Sequence, residues 1–208
     1  MPPHAQLTPP TKQIGSPSPS ISYTPRCAVR IVAFNAQGDI AILHAARENY
    51  YKLPGGGIQP GEDHETAARR EFLEETGGII RLRTNLKYGN GGNDDEDNTN
   101  GQVDDANEDE PANEHNDTTM TNGCFAITQE FRLQQCQTSY CYIADLVADT
   151  GKTALEEEEV EDGLKHMWVS LNEAKRLVEG AVPESEFGRS VREREMYFLG
   201  EVGRLLGV

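Results

Sequence analysis

The chain has 208 residues, 36% of them hydrophobic, with 35 acidic against 19 basic side chains and a formal net charge of −16. That length leaves room for one domain with a real core, while a mean hydropathy of −0.64 implies that part of the chain stays outside it. So acidic a chain is a poor binder of duplex nucleic acid or anionic membrane through bulk electrostatics, and neither is expected as a partner. No apolar run approaches the ~20 residues of a spanning helix, and no charged-then-apolar leader opens the sequence. Cys27, Cys124, Cys136 and Cys141 contain no Cys-x-x-Cys pair. They read as reduced thiols of an intracellular, cytoplasmic protein.

Residues 1–25 hold seven of the eleven prolines and read as a disordered Pro/Ser-rich tail, with one folded domain over 26–208. Residues 27–34 and 39–44 read as two strands joined by a turn, a hairpin. Residues 50–54 lead into the glycine-rich stretch 55–62, where Pro60 and Gly61 exclude helix. Asp63 is a good N-cap for a helix over 64–76, which Gly77 and Gly78 stop. On that helix Ala68, Phe72 and Leu73 supply the buried stripe. Glu74 and Glu75 fall either side of Glu71, the three spanning only ~100° of the barrel.

Alternation over 80–88 predicts a half-buried strand. From 89 to 123 the chain carries eleven acidic residues, eight Asn and no Lys or Arg. That segment reads as a disordered acidic insertion between two strands. The strand pattern resumes over 125–133, and residues 140–147, apolar on both faces, predict a central strand. Residues 149–163 read as a loop containing the run from Glu156 to Glu161. A short strand at 166–169 precedes a helix over 170–179 opened by a Ser170/Glu173 capping box. A last helix spans 188–206, with Val191, Phe198, Val202 and Leu205 as its apolar stripe.

Three carboxylates on one helix face repel one another, an arrangement that makes sense when a divalent cation neutralises them. Hard cations such as Mg²⁺ take oxygen ligands and share them with substrate phosphates. The preceding glycines let backbone approach a ligand without side chains in the way. A solvated acidic face is the alternative that the glycine turn argues against.

Gly56, Glu62, Arg70, Glu71, Phe72, Glu74, Glu75 and Gly77 stand in the register of the Nudix box, which this stretch resembles; Gly78 alone departs, where that pattern has an aliphatic residue. The strand and capped helix late in the chain extend the resemblance over 26–208 apart from the insertion. The resemblance implies an α/β fold of the Nudix type, an α/β/α sandwich with a mixed sheet. It also implies Mg²⁺- or Mn²⁺-dependent hydrolysis of a pyrophosphate bond in a small nucleotide substrate, either a nucleoside diphosphate-linked metabolite or a non-canonical nucleoside triphosphate.

On that basis Glu71, Glu74, Glu75 and the Gly56 carbonyl are the implied metal ligands. Glu74 is the implied general base, and Arg70 pairs with Glu62 or Glu71 and holds the helix to the turn. One carboxylate of the run from Glu156 to Glu161 is a further candidate for the site. Two other functions compete: a Nudix-fold sensor that binds a nucleotide without cleaving it, and a scaffold built around the acidic insertion. Retention of Glu71, Glu74 and Glu75 together favours the enzyme. Tyr50, Tyr51 and Trp168 are candidates for stacking on a base, with core or rim packing as the alternative. The five histidines have no zinc-like spacing.

Overall fold

The structure, a computed structural model, describes residues 9–84, 86 and 123–208. Its elements run β1 (Thr11–Ile14), β2 (Thr24–Phe34), β3 (Ile40–Ala45), β4 (Tyr50–Lys52), α1 (His64–Thr76) and β5 (Gly78–Leu82). They continue with β6 (Cys124–Arg132), β7 (Gln135–Asp149), α2 (Glu157–Glu161), β8 (Leu164–Val169), α3 (Leu171–Gly180) and α4 (Glu186–Leu206). Among the described residues no helix is long and apolar enough to cross a membrane.

β7 is the central strand that its two apolar faces predict. β2 runs parallel along one edge, from Thr24 opposite Gln135 to Phe34 opposite Asp145. β6 and β5 follow one another antiparallel along the other edge. β3 meets β2 only at Phe34 and Ile40 and pairs with β4 and β8 instead. The expected 27–34/39–44 hairpin is therefore reduced to its turn end. The glycine turn has taken the rest of that edge: Val29 N donates to Gly56 O (3.0 Å), Ile31 N to Pro54 O (2.9 Å) and Ile58 N to Cys27 O (3.0 Å).

Successive side chains of a strand face opposite ways. Val29, Ile31 and Ala33 of β2 pack with Ala67, Ala68 and Phe72 of α1. Val32 joins Ala174 and Val178 of α3 and Phe198, Leu199 and Val202 of α4. The mixed sheet thus lies between α1 and the α3/α4 pair, the α/β/α arrangement of the Nudix type. Leu73 is a correction to the predicted stripe of α1: it is 40% exposed, and Ala67 takes its place in the core.

Two further expectations change. Residues 11–14, placed in the unstructured tail, form β1, parallel to β6 from Thr11 opposite Ile127. Proline pairs flank the run without entering it, so all four N–H groups remain free to join a ladder. Ile14 is buried, and Pro10 O accepts from Ile127 N and Tyr197 Oη, both at 2.9 Å. The loop expected over 149–163 contains α2, a single turn closed by a capping box between Glu156 and Glu159.

The acidic insertion lies outside the described residues except at its end. A Cβ placed on Gly123 would sit 2.6 Å from Arg83 O, so the chain leaves and re-enters the sheet at one place. Replacing residues 87–122 with a short Gly/Ser linker is expected to preserve the fold. Each halving of a loop recovers only ~0.6 kcal/mol of closure entropy. A loss of cooperative melting in that variant would show that the segment carries structure the sheet needs.

Candidate active site

The helix of the box is set by its caps. Asp63 Oδ1 accepts from Thr66 N at 2.7 Å, and Gly77, at φ 77°, ends α1 in the left-handed region. The departure at Gly78 has a steric cause: a Cβ there would lie 2.5 Å from Phe72 Cε1 and 2.8 Å from Leu146 Cδ1. The Phe72 ring occupies the space that an aliphatic side chain would need, and Ile80, which is buried, completes the packing.

Arg70 ties the helix to the turn, and it pairs with both of the carboxylates proposed for it. Its Nε and Nη2 fork onto Glu62 at 2.9 Å each, and Nη2 also donates to Gly57 O at 3.0 Å. Nη1 reaches Glu71 Oε1 at 2.8 Å and Glu74 Oε2 at 3.2 Å. The hydrogen bonds to Glu62 hold the guanidinium well above its usual pKa. Glu71 lies flat against the glycine turn, since a Cβ on Gly56 would be 2.4 Å from its Oε2. Burial pushes the Glu71 carboxyl up, with Arg70 opposing.

Glu75 faces another way. Its Oε2 accepts from Gly55 N at 2.6 Å, and its Oε1 lies 2.8 Å from Lys52 Nζ. Burial pushes this carboxyl up to about 7, against the pull of Lys52. Lys52 Nζ is also 3.4 Å from Glu159 Oε1, so Glu159 is the member of the acidic run that reaches back to the box. Glu71, Glu74 and Glu75 are therefore split, two converging on Arg70 and one on Lys52.

A cleft of about 510 Å³ opens in front of the turn. Gly56 and Glu71 line it, whereas Glu74 and Glu75 do not; Glu156, Glu158, Glu159 and Asp162 form its acidic rim. The remaining wall is basic, with Arg26, Arg30, Arg132 and Arg194 on its lining. The chain sequence carried a signal for part of this wall. Arg30 interrupts an apolar strand, and Arg194 and Glu195 fall in the gap of the α4 stripe between Val191 and Phe198. Of the aromatic candidates only Tyr50 lines the cleft. Tyr51 stacks on His44 and Trp168 packs edge-on to Phe72. Phe187, 48% exposed, shares the rim with Tyr50 at 6.0 Å between ring centres.

Among the described residues no three His, Cys, Asp or Glu side chains surround one point as metal ligands would. The donors nonetheless fit a hard divalent cation in kind. They are oxygens only, and Glu71 and Glu74 already converge on one cationic nitrogen. The Gly56 carbonyl accepts from Val29 N and keeps a second lone pair.

The family model of the NUDIX domain matches residues 24–189. The chain belongs to the Nudix family. An RNA pyrophosphohydrolase of Wolbachia pipientis subsp. Culex pipiens (strain wPip) is 45% identical over 53 residues, 25% of this chain and 33% of that protein. One from Rhodopseudomonas palustris (strain BisB18) is 38% identical over 58 residues, 24% and 33% of the two chains. The chain thus spans about a third of the length of these curated relatives. Among solved structures, a NUDIX hydrolase from Nitrosomonas europaea is similar at a TM-score of 0.49, with 14% identity over 86% of this chain and 91% of that one. A C. elegans Ap4A hydrolase is similar at a TM-score of 0.45, with 15% identity over 84% and 98%.

Proposed function

We propose that this chain hydrolyses a pyrophosphate bond in a nucleoside diphosphate-linked metabolite or a non-canonical nucleoside triphosphate. Glu71, Glu74, Glu75 and the Gly56 carbonyl would hold Mg²⁺ or Mn²⁺. The observation that carries this reading is the Glu71 carboxylate lying against the Gly56 backbone at the cleft, held there by Arg70. Membership in the Nudix family supports it.

When bound, such an ion neutralises charge on the phosphoryl oxygens and lowers the pKa of the attacking water. Water oxygen bonds to one phosphorus as the bond from that phosphorus to the bridging oxygen breaks. Glu74 takes the water proton and returns it to the departing phosphate. Arg70 keeps Glu62, Glu71 and Glu74 in register with the turn, and Lys52 holds Glu75 in place while Glu159 steadies Lys52 from α2.

The test is a panel of nucleotides incubated with Mg²⁺ or with EDTA and scored for phosphate and nucleoside monophosphate release. It includes a 5′-triphosphorylated RNA, because the curated relatives are RNA pyrophosphohydrolases. Metal-dependent release from at least one compound is expected. Binding without release from any of them would instead identify a nucleotide sensor.

A further inference from the structure

Cleavage at the box calls for cations near Glu71, where Arg70 already stands, yet four more guanidiniums line the same cleft. Arg30 sits directly beside the glycine turn, since a Cβ on Gly55 would lie 3.1 Å from its Cα. Arg26 is on the same face of β2, and its guanidinium lies against the other end of the turn: a Cβ on Gly57 would be 2.9 Å from its Nη2, and its Nη1 donates to Gln137 Oε1 at 3.2 Å. Arg132, at the end of β6, and Arg194, from α4, complete the wall. Of these four guanidiniums, Arg132 and Arg194 pair with two buried carboxylates, Glu130 and Glu195.

Glu130 is already committed through both oxygens, and Glu195 through one. Glu130 pairs with Arg132 at 3.1 Å and Arg194 at 3.4 Å, and its Oε1 accepts from Thr128, Ser139 and Gln137. Glu195 Oε1 takes the fork of Arg194, at 2.9 Å from Nε and 2.6 Å from Nη2, while its buried Oε2 has no hydrogen-bond partner among the described residues. Two donors are left over against that single acceptor. Arg30 is only 7% exposed, its Nη1 donates to Val29 O, and its Nε has no hydrogen-bond partner among the described residues. Arg132 Nη1 is buried and likewise unpartnered. Leaving such groups unsatisfied costs free energy, and a guanidinium fork matches a phosphate in both charge and geometry.

We propose that the wall of Arg26, Arg30 and Arg132 binds a further phosphate of the substrate, beyond the two joined by the bond that is cut. The substrate class is then one with three or more linked phosphates, in preference to a diphosphate joined to a neutral group. The electrostatics agree. Burial, with Arg194 close by, brings Arg30 down to about 10, and burial also lowers Arg132. An anion arriving in the cleft relieves both. This inference rests on the proposed hydrolase only for which bond is cut; anion binding by the wall needs no catalysis.

The test is calorimetric titration in EDTA with inorganic tripolyphosphate and with pyrophosphate, so that failure of hydrolysis leaves it intact. Wild type is expected to bind tripolyphosphate about tenfold more tightly than pyrophosphate. Arg132→Gln and Arg26→Gln should each erase most of that ratio. Arg69→Gln removes the same charge from the exposed side of α1, where Arg69 pairs with Glu65, and should preserve it. Arg26 is exposed, so its variant keeps the test open if Arg132→Gln fails to fold. Parallel titrations with a nucleoside triphosphate and a dinucleoside tetraphosphate separate a free-ended chain from a capped one. An Arg26- or Arg132-dependent advantage for either over a nucleoside diphosphate supports the proposal. Equal binding of tripolyphosphate and pyrophosphate to wild type would overturn it, as would an equal loss in Arg69→Gln.

Discussion

Glu74→Gln is expected to lower kcat by ~10²–10⁴-fold, the range over which a positioned general base contributes, while the protein stays folded. The substitution keeps shape and removes charge. Glu74 is 34% exposed and contacts Arg70 Nη1 at 3.2 Å, an ion pair that at such exposure is worth ~0–1 kcal/mol. Stability should therefore hardly move, and the loss belongs to chemistry. Glu159→Gln is the informative companion, because Glu159 lines the cleft and Glu74 does not. A folded Glu74→Gln enzyme with near wild-type turnover, beside a Glu159→Gln enzyme with little, would move the base to α2.

Arg70→Ala is expected to have the largest effect on stability. Five donor contacts disappear together, leaving Glu62 and Glu71, whose side chains are 9% and 13% exposed, without their cation. Breaking a largely buried charge pair from one side costs about 3 kcal/mol or more. At roughly 2–4 °C per kcal/mol for a chain of this size, the melting temperature should fall by roughly 6–12 °C. Arg70→Lys should recover only part of this, since an ammonium cannot fork onto Glu62 and reach Gly57 O and Glu71 at once. Thermal melting of the two variants checks the ordering. An Arg70→Ala protein as stable as wild type would mean that the box helix is held by its caps and apolar face alone.

The parts of the molecule legible in the sequence are those set by local chemistry. Asp63 and Gly77 bound α1 as capping rules require, Ser170 accepts from Glu173 N at the start of α3, and the two-sided apolar run of β7 did mark the central strand. What was hidden depends on distant partners. β1 carries little apolar surface beyond Ile14, and its ladder is with β6, more than a hundred residues away. The edge of β2 looked ready for a hairpin partner, but the glycine turn satisfies it through backbone groups that leave no mark in side-chain periodicity.

The site divides the same way. Spacing along one helix brought out Glu71, Glu74 and Glu75, yet helix phase alone could not show that Glu75 turns inward to Lys52 and Gly55 while the other two meet Arg70. The choice of Glu159 within its acidic run depends on the position of Lys52, on a different strand. The arginine wall draws on β2, β6 and α4, and only the fold brings residues 26, 30, 132 and 194 together.

The central claim, that the box binds a divalent cation together with a nucleotide, is tested most directly by thermal melting of the chain with residues 87–122 replaced. The melts are run at fixed ionic strength with nucleotide present, with and without millimolar Mg²⁺ or Mn²⁺. An ion that binds only the folded state at a hundredfold excess over its Kd adds roughly 2.7 kcal/mol, which corresponds to a rise of roughly 5–11 °C. The account predicts that rise in the otherwise wild-type chain and a much smaller one after Glu71→Gln. A melting temperature that neither ion moves would contradict it, and would leave Glu71, Glu74 and Glu75 as carboxylates neutralised by Arg70 and Lys52 alone.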